Sequence, residues 1–147
     1  MARSLTINLH ELVTRALTHL SQHRVVAMSE FGFEGLKIGA GPPPMRVPEG
    51  WLLLHHGVRG KLAPGWHVQL EVHYAAGAMI LDADDITKVI ARTPEPLLAP
   101  ETTEELVGTV ANVVFPTAIE EVQGVLYVFY GMADAHIGVA RLERTDT

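Results

Sequence analysis

The chain contains no cysteine, which excludes disulfides, thiolate metal centres and a cysteine nucleophile. Basic charge is scarce: 11 Lys and Arg stand against 17 Asp and Glu, giving a formal net charge of −6. That balance argues against nucleic-acid binding, which needs a basic patch. No apolar run approaches the roughly 20 residues that span a bilayer. Residues 1–20 carry charges throughout and lack the apolar core of a signal peptide. These two absences predict a cytoplasmic protein with no membrane partner. Also missing are an HExxH or His-x-His pair, a Ser/His/Asp signature, a P-loop and a GxGxxG run.

What is present is a globular composition, 48% hydrophobic and 19% charged, at a length that predicts one domain. Thirteen glycines and nine prolines predict many turns and short strands. The first 20 residues read as a helix. Leu5, Leu9, Leu12, Val13, Ala16, Leu17 and Leu20 share one face, and Asn8 with Glu11 has the form of a capping box. After residue 21 the pattern becomes short antiparallel strands joined by turns. Residues 24–28 form a short β-like run. Residues 31–41 hold four glycines and lead into Pro42-Pro43-Pro44, which predicts an ordered, extended loop. Residues 51–56 read as a buried strand ended by Gly57, and residues 67–74 as a period-two strand that resumes over 77–81. Asp82 to Lys88 predicts a capped turn with a short helical piece, and three prolines make 93–100 a loop. Three further strands are predicted over 112–119, 125–130 and 137–142, with Gln123-Gly124 turning between the first two. Sandwich, barrel and propeller all fit this pattern.

Eight histidines raise the question of a metal. His55 and His56 are adjacent on a strand and point to opposite faces, and His67 and His73 lie about 20 Å apart along theirs. No metal site is predicted. Asp82, Asp84 and Asp85 lack the glycine and distal glutamate of a calcium loop, and capping the following turn is the simpler role. Lys37 is set among Gly35, Gly39 and Gly41, where backbone allows close approach of a ligand. His56 ends the apolar strand. An ammonium and an imidazole suit an oxyanion such as phosphate, although spacing alone is equally met by a solvated lysine and a packed histidine.

Two strings carry more. Leu36-Lys37-Ile38-Gly39-Ala40-Gly41-Pro42-Pro43-Pro44-Met45-Arg46 and Glu49-Gly50-Trp51-Leu52-Leu53-Leu54-His55-His56-Gly57-Val58 resemble the second half of glycoside hydrolase family 130, the mannoside phosphorylases and related β-mannosidases. Residues 89–98, 112–117 (Asn-Val-Val-Phe-Pro-Thr) and 130–134 (Tyr-Gly-Met-Ala-Asp) match as well, in the family's order. The resemblance runs from about residue 23 to 142 and leaves the leader, 1–20, outside 21–147.

The resemblance implies an all-β fold, part of a five-bladed β-propeller of about two to three blades at the roughly 40–50 residues usual per blade, preceded by the leader helix. It implies inverting phosphorolysis of β-mannosides such as mannosyl-glucose and mannooligosaccharides, with inorganic phosphate as co-substrate and no cofactor or metal. Phosphate is already an anionic nucleophile, so a cationic cradle replaces the carboxylate base that an inverting hydrolase uses on water. Lys37 and His56 match the cradle, and Asp134 matches an aspartate expected at the sugar hydroxyls. The family's general-acid aspartate and two cradle arginines come from its first half and match no position here. Residue 55 is His where the family usually has Tyr, and residue 111 is Ala where Pro is expected. The expectation is a truncated or split phosphorylase completed by a complementary chain or by self-association. The alternatives are a non-catalytic carbohydrate-binding or interaction module, a β-mannoside hydrolase fragment, and a fragment without function.

Overall fold

A computed structural model describes residues 22–62 and 69–144. The expected leader helix, the first two residues of the expected 67–74 strand and the side chain of His67 lie outside them. The described chain is two antiparallel sheets, with 3-10 and α segments of three and four residues.

The first sheet is built on two 13-residue strands, β3 (Gly50–Leu62) and β4 (Gln69–Leu81). They pair from Trp51↔Leu81 to Arg59↔His73, with a register shift at Gly60. Three shorter strands complete it: β1 (Lys37–Ala40) and β2 (Met45–Val47) along β3, and β5 (Val89–Arg92) along β4. The second sheet has the order β6 (Val114–Val122), β7 (Val125–Met132), β8 (His136–Leu142). Gln123 and Gly124 both have positive φ, 53° and 78°. That is the two-residue hairpin turn whose twist suits flanking strands.

Alternation decides how the sheets meet. Leu52, Leu54, His56 and Val58 share one face of β3, joined by Ala76 and Ala78 from β4. Leu52, Leu54 and Ala78 pack on Ile119 and Val128 of the second sheet, and Ala76 packs on Val114 and Tyr130. Full burial of such a side chain is worth about 1.5–3 kcal/mol. A parallel bridge between Tyr74 and Val113 links the sheets at one end. The opposite face of β3, with Leu53, His55 and Gly57, is covered by Phe33 and Glu34 of the 3-10 turn Gly32–Glu34.

Several sequence expectations change. Residues 24–28 form no strand: Val25 and Met28 are exposed and no neighbouring strand offers a ladder. Residues 31–41 are not a continuous loop, because Lys37–Ala40 pairs with His55–Val58 as β1. Its glycines are there for contact. A Cβ on Gly39 would fall 2.6 Å from the His56 Nε2, and one on Gly41 3.0 Å from the Leu54 carbonyl. Gly57 does not end β3 but sits inside it, where a Cβ would meet the Glu34 Cγ at 2.7 Å. Asp82 accepts the N–H groups of Asp84 and Asp85, both at 3.0 Å, in a turn without helix. The short helix, α1 (Thr103–Leu106), falls where none was expected. The prolines at 42–44, the 93–100 loop and the last three strands lie as expected, within two or three residues.

Candidate functional site

The adjacent histidines of β3 stand in different surroundings. His55 is 2% exposed and its Nε2 lies 2.7 Å from the Glu34 carboxylate. Glu34, itself 0% exposed, is bound by the Arg92 guanidinium at 2.7 and 2.8 Å and accepts the N–H groups of Glu30 and Phe31 at 2.9 and 3.1 Å. Burial opposes a charge on Glu34, but these donors prevail and hold its pKa at about 2, below the usual 4.5. Burial pushes His55 the other way, below 6.5, against the pull of Glu34. Arg92 also donates to the Met28 carbonyl at 2.8 Å. The cluster therefore fastens residues 28–34 to β3 and β5. The second sheet has a smaller counterpart. Glu105 accepts the N–H groups of Glu101 and Thr102 at 2.8 and 3.0 Å, and the Tyr130 hydroxyl donates to it at 2.9 Å.

His56 points the other way, toward the second sheet. Its ring lies over Gly39, 4.3 Å from the Phe115 centroid and 5.8 Å from that of Tyr74. Lys37 is two residues from Gly39 on the same edge strand, so it shares that face. Its Nζ sits 5.5 Å from the Tyr74 centroid, a cation–π distance. Lys37 and His56 thus flank one aromatic ring, Lys37 exposed and His56 buried. Burial first, then the Lys37 ammonium and His55, lower the His56 pKa from 6.5 to about 4. At neutral pH the pair is one cation beside a neutral imidazole, and the buried Nδ1 has no hydrogen-bond partner among the described residues. An anion near both would offset the part of this lowering that the Lys37 charge causes.

Asp134 lies apart from this pair. It occupies a tight turn in which the Ala135 N–H donates to the Met132 carbonyl at 3.0 Å. Ala133 and Asp134 both have positive φ, 48° and 50°, a conformation that costs a residue with a Cβ about 1–2 kcal/mol. The turn is held by the buried Ala133, whose N–H donates to Val113 at 3.0 Å and whose carbonyl accepts from Val110 at 3.1 Å. Val113 bridges to Tyr74. Asp134 is exposed and, among the described residues, makes no side-chain hydrogen bond or ion pair. The structure thus brings Lys37 and His56 to one face and leaves Asp134 tied to them only through this backbone route.

Sequence reasoning missed Tyr74, Phe115, Glu34 and Arg92. Tyr74 and Phe115 stood inside segments already singled out, but that they touch His56 depends on the β3–β4 register for Tyr74 and on the meeting of the two sheets for Phe115. Among the described residues, no three His, Asp or Glu side chains gather as metal ligands.

Comparison with known proteins adds three findings. The family model for beta-1,4-mannooligosaccharide phosphorylase, that of glycoside hydrolase family 130, matches residues 6–146. The match reaches into the segment that the motifs left outside the resemblance. A beta-1,2-mannobiose phosphorylase of Thermoanaerobacter sp. (strain X514) is 44% identical over 112 residues, 76% of this chain and 34% of that protein. A beta-1,4-mannooligosaccharide phosphorylase of Ruminococcus albus is 37% identical over 126 residues, 84% and 36% of the two chains. The solved beta-1,2-mannobiose phosphorylase of Listeria innocua, in complex with beta-1,2-mannobiose, superposes with a TM-score of 0.64 at 32% identity, covering 76% of this chain and 29% of that one. The chain spans about a third of the length of the curated relatives it matches.

Proposed function

We propose a function from the premise that this chain belongs to glycoside hydrolase family 130, the family of the mannooligosaccharide phosphorylases. The two sheets are neighbouring blades of a five-bladed β-propeller, with the edge strands β1 and β6 toward its central channel. Lys37 and His56 hold inorganic phosphate, and Asp134 binds hydroxyls of a β-mannoside. A phosphate oxygen attacks the anomeric carbon from the face opposite the leaving group, the carbon–oxygen glycosidic bond breaks, and the departing oxygen takes a proton from a general acid. The product is mannose 1-phosphate with inverted configuration. That acid and two further phosphate-binding arginines match no residue of this chain, so turnover needs segments that supply them, from a complementary chain or through assembly of copies.

The single observation that supports the reading is the placement of Lys37 and His56 on one face, on paired strands, around Tyr74. The cation lies beside an imidazole that burial first, and then the lysine charge, keeps neutral, and an anion would offset the second of these. The relatives' names include both β-1,2 and β-1,4 linkages, and the 44% relative favours a β-1,2-mannoside here.

The test is phosphate-dependent release of mannose 1-phosphate from β-1,2-mannobiose, β-1,4-mannobiose and mannosyl-glucose, with the isolated chain and with the chain supplemented by the missing blades of a relative. The isolated chain is expected to show no useful turnover. Losing proton donation typically costs about 10²–10⁴-fold, and each lost anion contact on the order of 10²–10³. The supplemented chain is expected to require phosphate. Release of free mannose without phosphate would instead identify a hydrolase. A second reading is a non-catalytic carbohydrate-binding module, since no residue of this chain matches the family's general acid. Saccharide binding with no phosphate effect would support it.

A further inference from the structure

We propose that the reverse face of the first sheet carries a second saccharide site, separate from the Lys37–His56 face. Arg59 and His73 are direct partners across β3 and β4. Their neighbours Val58 and Tyr74 point to the Lys37 side, so Arg59 and His73 point away from it. There they line a cavity of about 360 Å³ together with Phe33, Glu95, Pro96 and Pro100. That volume falls within the range of about 300–1,000 Å³ common for small-molecule sites.

The lining argues for a neutral polyol. It holds one guanidinium, one carboxylate and one imidazole. Among the described residues none of the three forms a side-chain hydrogen bond or ion pair. The formal charges of Arg59 and Glu95 cancel, so the cavity gives a phosphate dianion no advantage. Five guanidinium donors and a carboxylate acceptor lining one cavity suit vicinal hydroxyls, which both accept and donate. Phe33, Pro96 and Pro100 offer an apolar wall for the C–H face of a pyranose.

The site also rests on fixed elements. The loop that carries Glu95 is tied to β4, with the Thr93 N–H donating to Ala78 at 3.0 Å, the Leu97 N–H to Ala76 at 2.8 Å, and the Ala76 N–H to Leu98 at 2.8 Å. Phe33 is fixed by its neighbour Glu34, which is locked to Arg92 and His55. The choice of mannose as the sugar rests on the proposed function. The chemistry of the cavity requires only a pyranose with vicinal hydroxyls.

The test is a titration of the full chain with β-1,2-mannobiose and β-1,4-mannotriose, and separately with sulfate, followed by backbone amide NMR. The amides of Phe33, His73, Ala75 and Ala99 are expected to shift saturably with the saccharides and not with sulfate. The shifts should persist in Lys37→Met and weaken about tenfold or more in Glu95→Gln and in Arg59→Ala. Both substituted side chains are exposed, and an otherwise unchanged spectrum reports an intact fold. No saturable shift at these amides would overturn the proposal. So would equal affinity in both cavity variants, loss of the shifts in Lys37→Met, or displacement of saccharide by sulfate. Absence of phosphate-induced shifts at Lys37 and His56 would count against the proposed function alone.

Discussion

His55 and His56 are neighbours in sequence, both buried, both with lowered pKa values, yet they sit in opposite situations. His55 faces Glu34 and Arg92, which occupy its Nε2 and belong to a cluster that fastens one segment to two strands. His56 faces two aromatic rings and, through its charge, a lysine. The buried Nδ1 of both histidines has no hydrogen-bond partner among the described residues, so the two differ in what faces Nε2 and the ring. A buried imidazole bound to a carboxylate inside an ion cluster serves the scaffold. A buried imidazole that faces rings and a cation, with no carboxylate beside it, is the one that the proposed function assigns to phosphate.

The strongest way to break the contrast is to remove the scaffold side. Glu34→Ala leaves Arg92, His55 and two backbone N–H groups without their acceptor, and breaking such a buried pair costs about 3–5 kcal/mol. Urea denaturation should show that loss. His56→Gln should cost about 1–2 kcal/mol, within the ordinary range for substitutions, while abolishing the phosphate response. Equal costs would remove the distinction.

Acid should separate the two sides by window. Folded Glu34 gives up its proton more readily than an unfolded glutamate, so the unfolded chain binds the extra proton. Its contribution is complete above pH 4.5 and is lost as pH falls toward about 2. Folded His56 resists a proton that the unfolded chain accepts, so its contribution is complete above pH 6.5 and is lost as pH falls through about 4. Stability measured from pH 7 to 2 should therefore lose part of its upper slope in His56→Gln and part of its lower slope in Glu34→Gln, with Glu105, Asp82 and Asp85 supplying the rest of the latter. His55 adds to the upper slope, since its pKa is lowered as well.

A sharper variant is Gly39→Ala. Its methyl would meet the His56 ring at 2.6 Å from Nε2, and overpacking typically costs about 1–3 kcal/mol. The ring must turn away from Lys37, so phosphate-induced shifts should vanish with the fold retained. The smallest effect is expected from Tyr130→Phe. It removes one hydrogen bond to Glu105, worth about 1 kcal/mol, and should leave phosphate binding untouched. It also removes the hydroxyl whose pKa burial and Glu105 raise to about 12.

Much of the fold was legible in the sequence, and the reasons are local. Period-two alternation marked β4, the Gln123-Gly124 pair marked the turn between β6 and β7, and Pro42 to Pro44 marked a break between strands. The opposite facing of His55 and His56 followed from strand geometry. What misled was glycine. Gly39 and Gly41 read as loop and Gly57 as a strand end, whereas each sits against a close neighbour that leaves no room for a Cβ. Val25 to Met28 read as strand on propensity, but a strand needs a partner, and Arg92 holds this segment through one carbonyl instead. Glu34 gave no signal because its two side-chain partners, His55 and Arg92, reach it only when β3 and β5 align in one sheet. The candidate anion pair was visible as residue types; that Tyr74 frames it required the β3–β4 register, and that Phe115 does so required the second sheet.

The measurement that tests the central claim most directly is the titration of the His56 ring by NMR, with and without saturating inorganic phosphate. Without phosphate the midpoint should lie near pH 4, held down by burial and by Lys37. With phosphate it should move up by at least one unit, and Lys37→Met should remove that response. A midpoint that phosphate leaves unchanged in the intact chain would contradict the account.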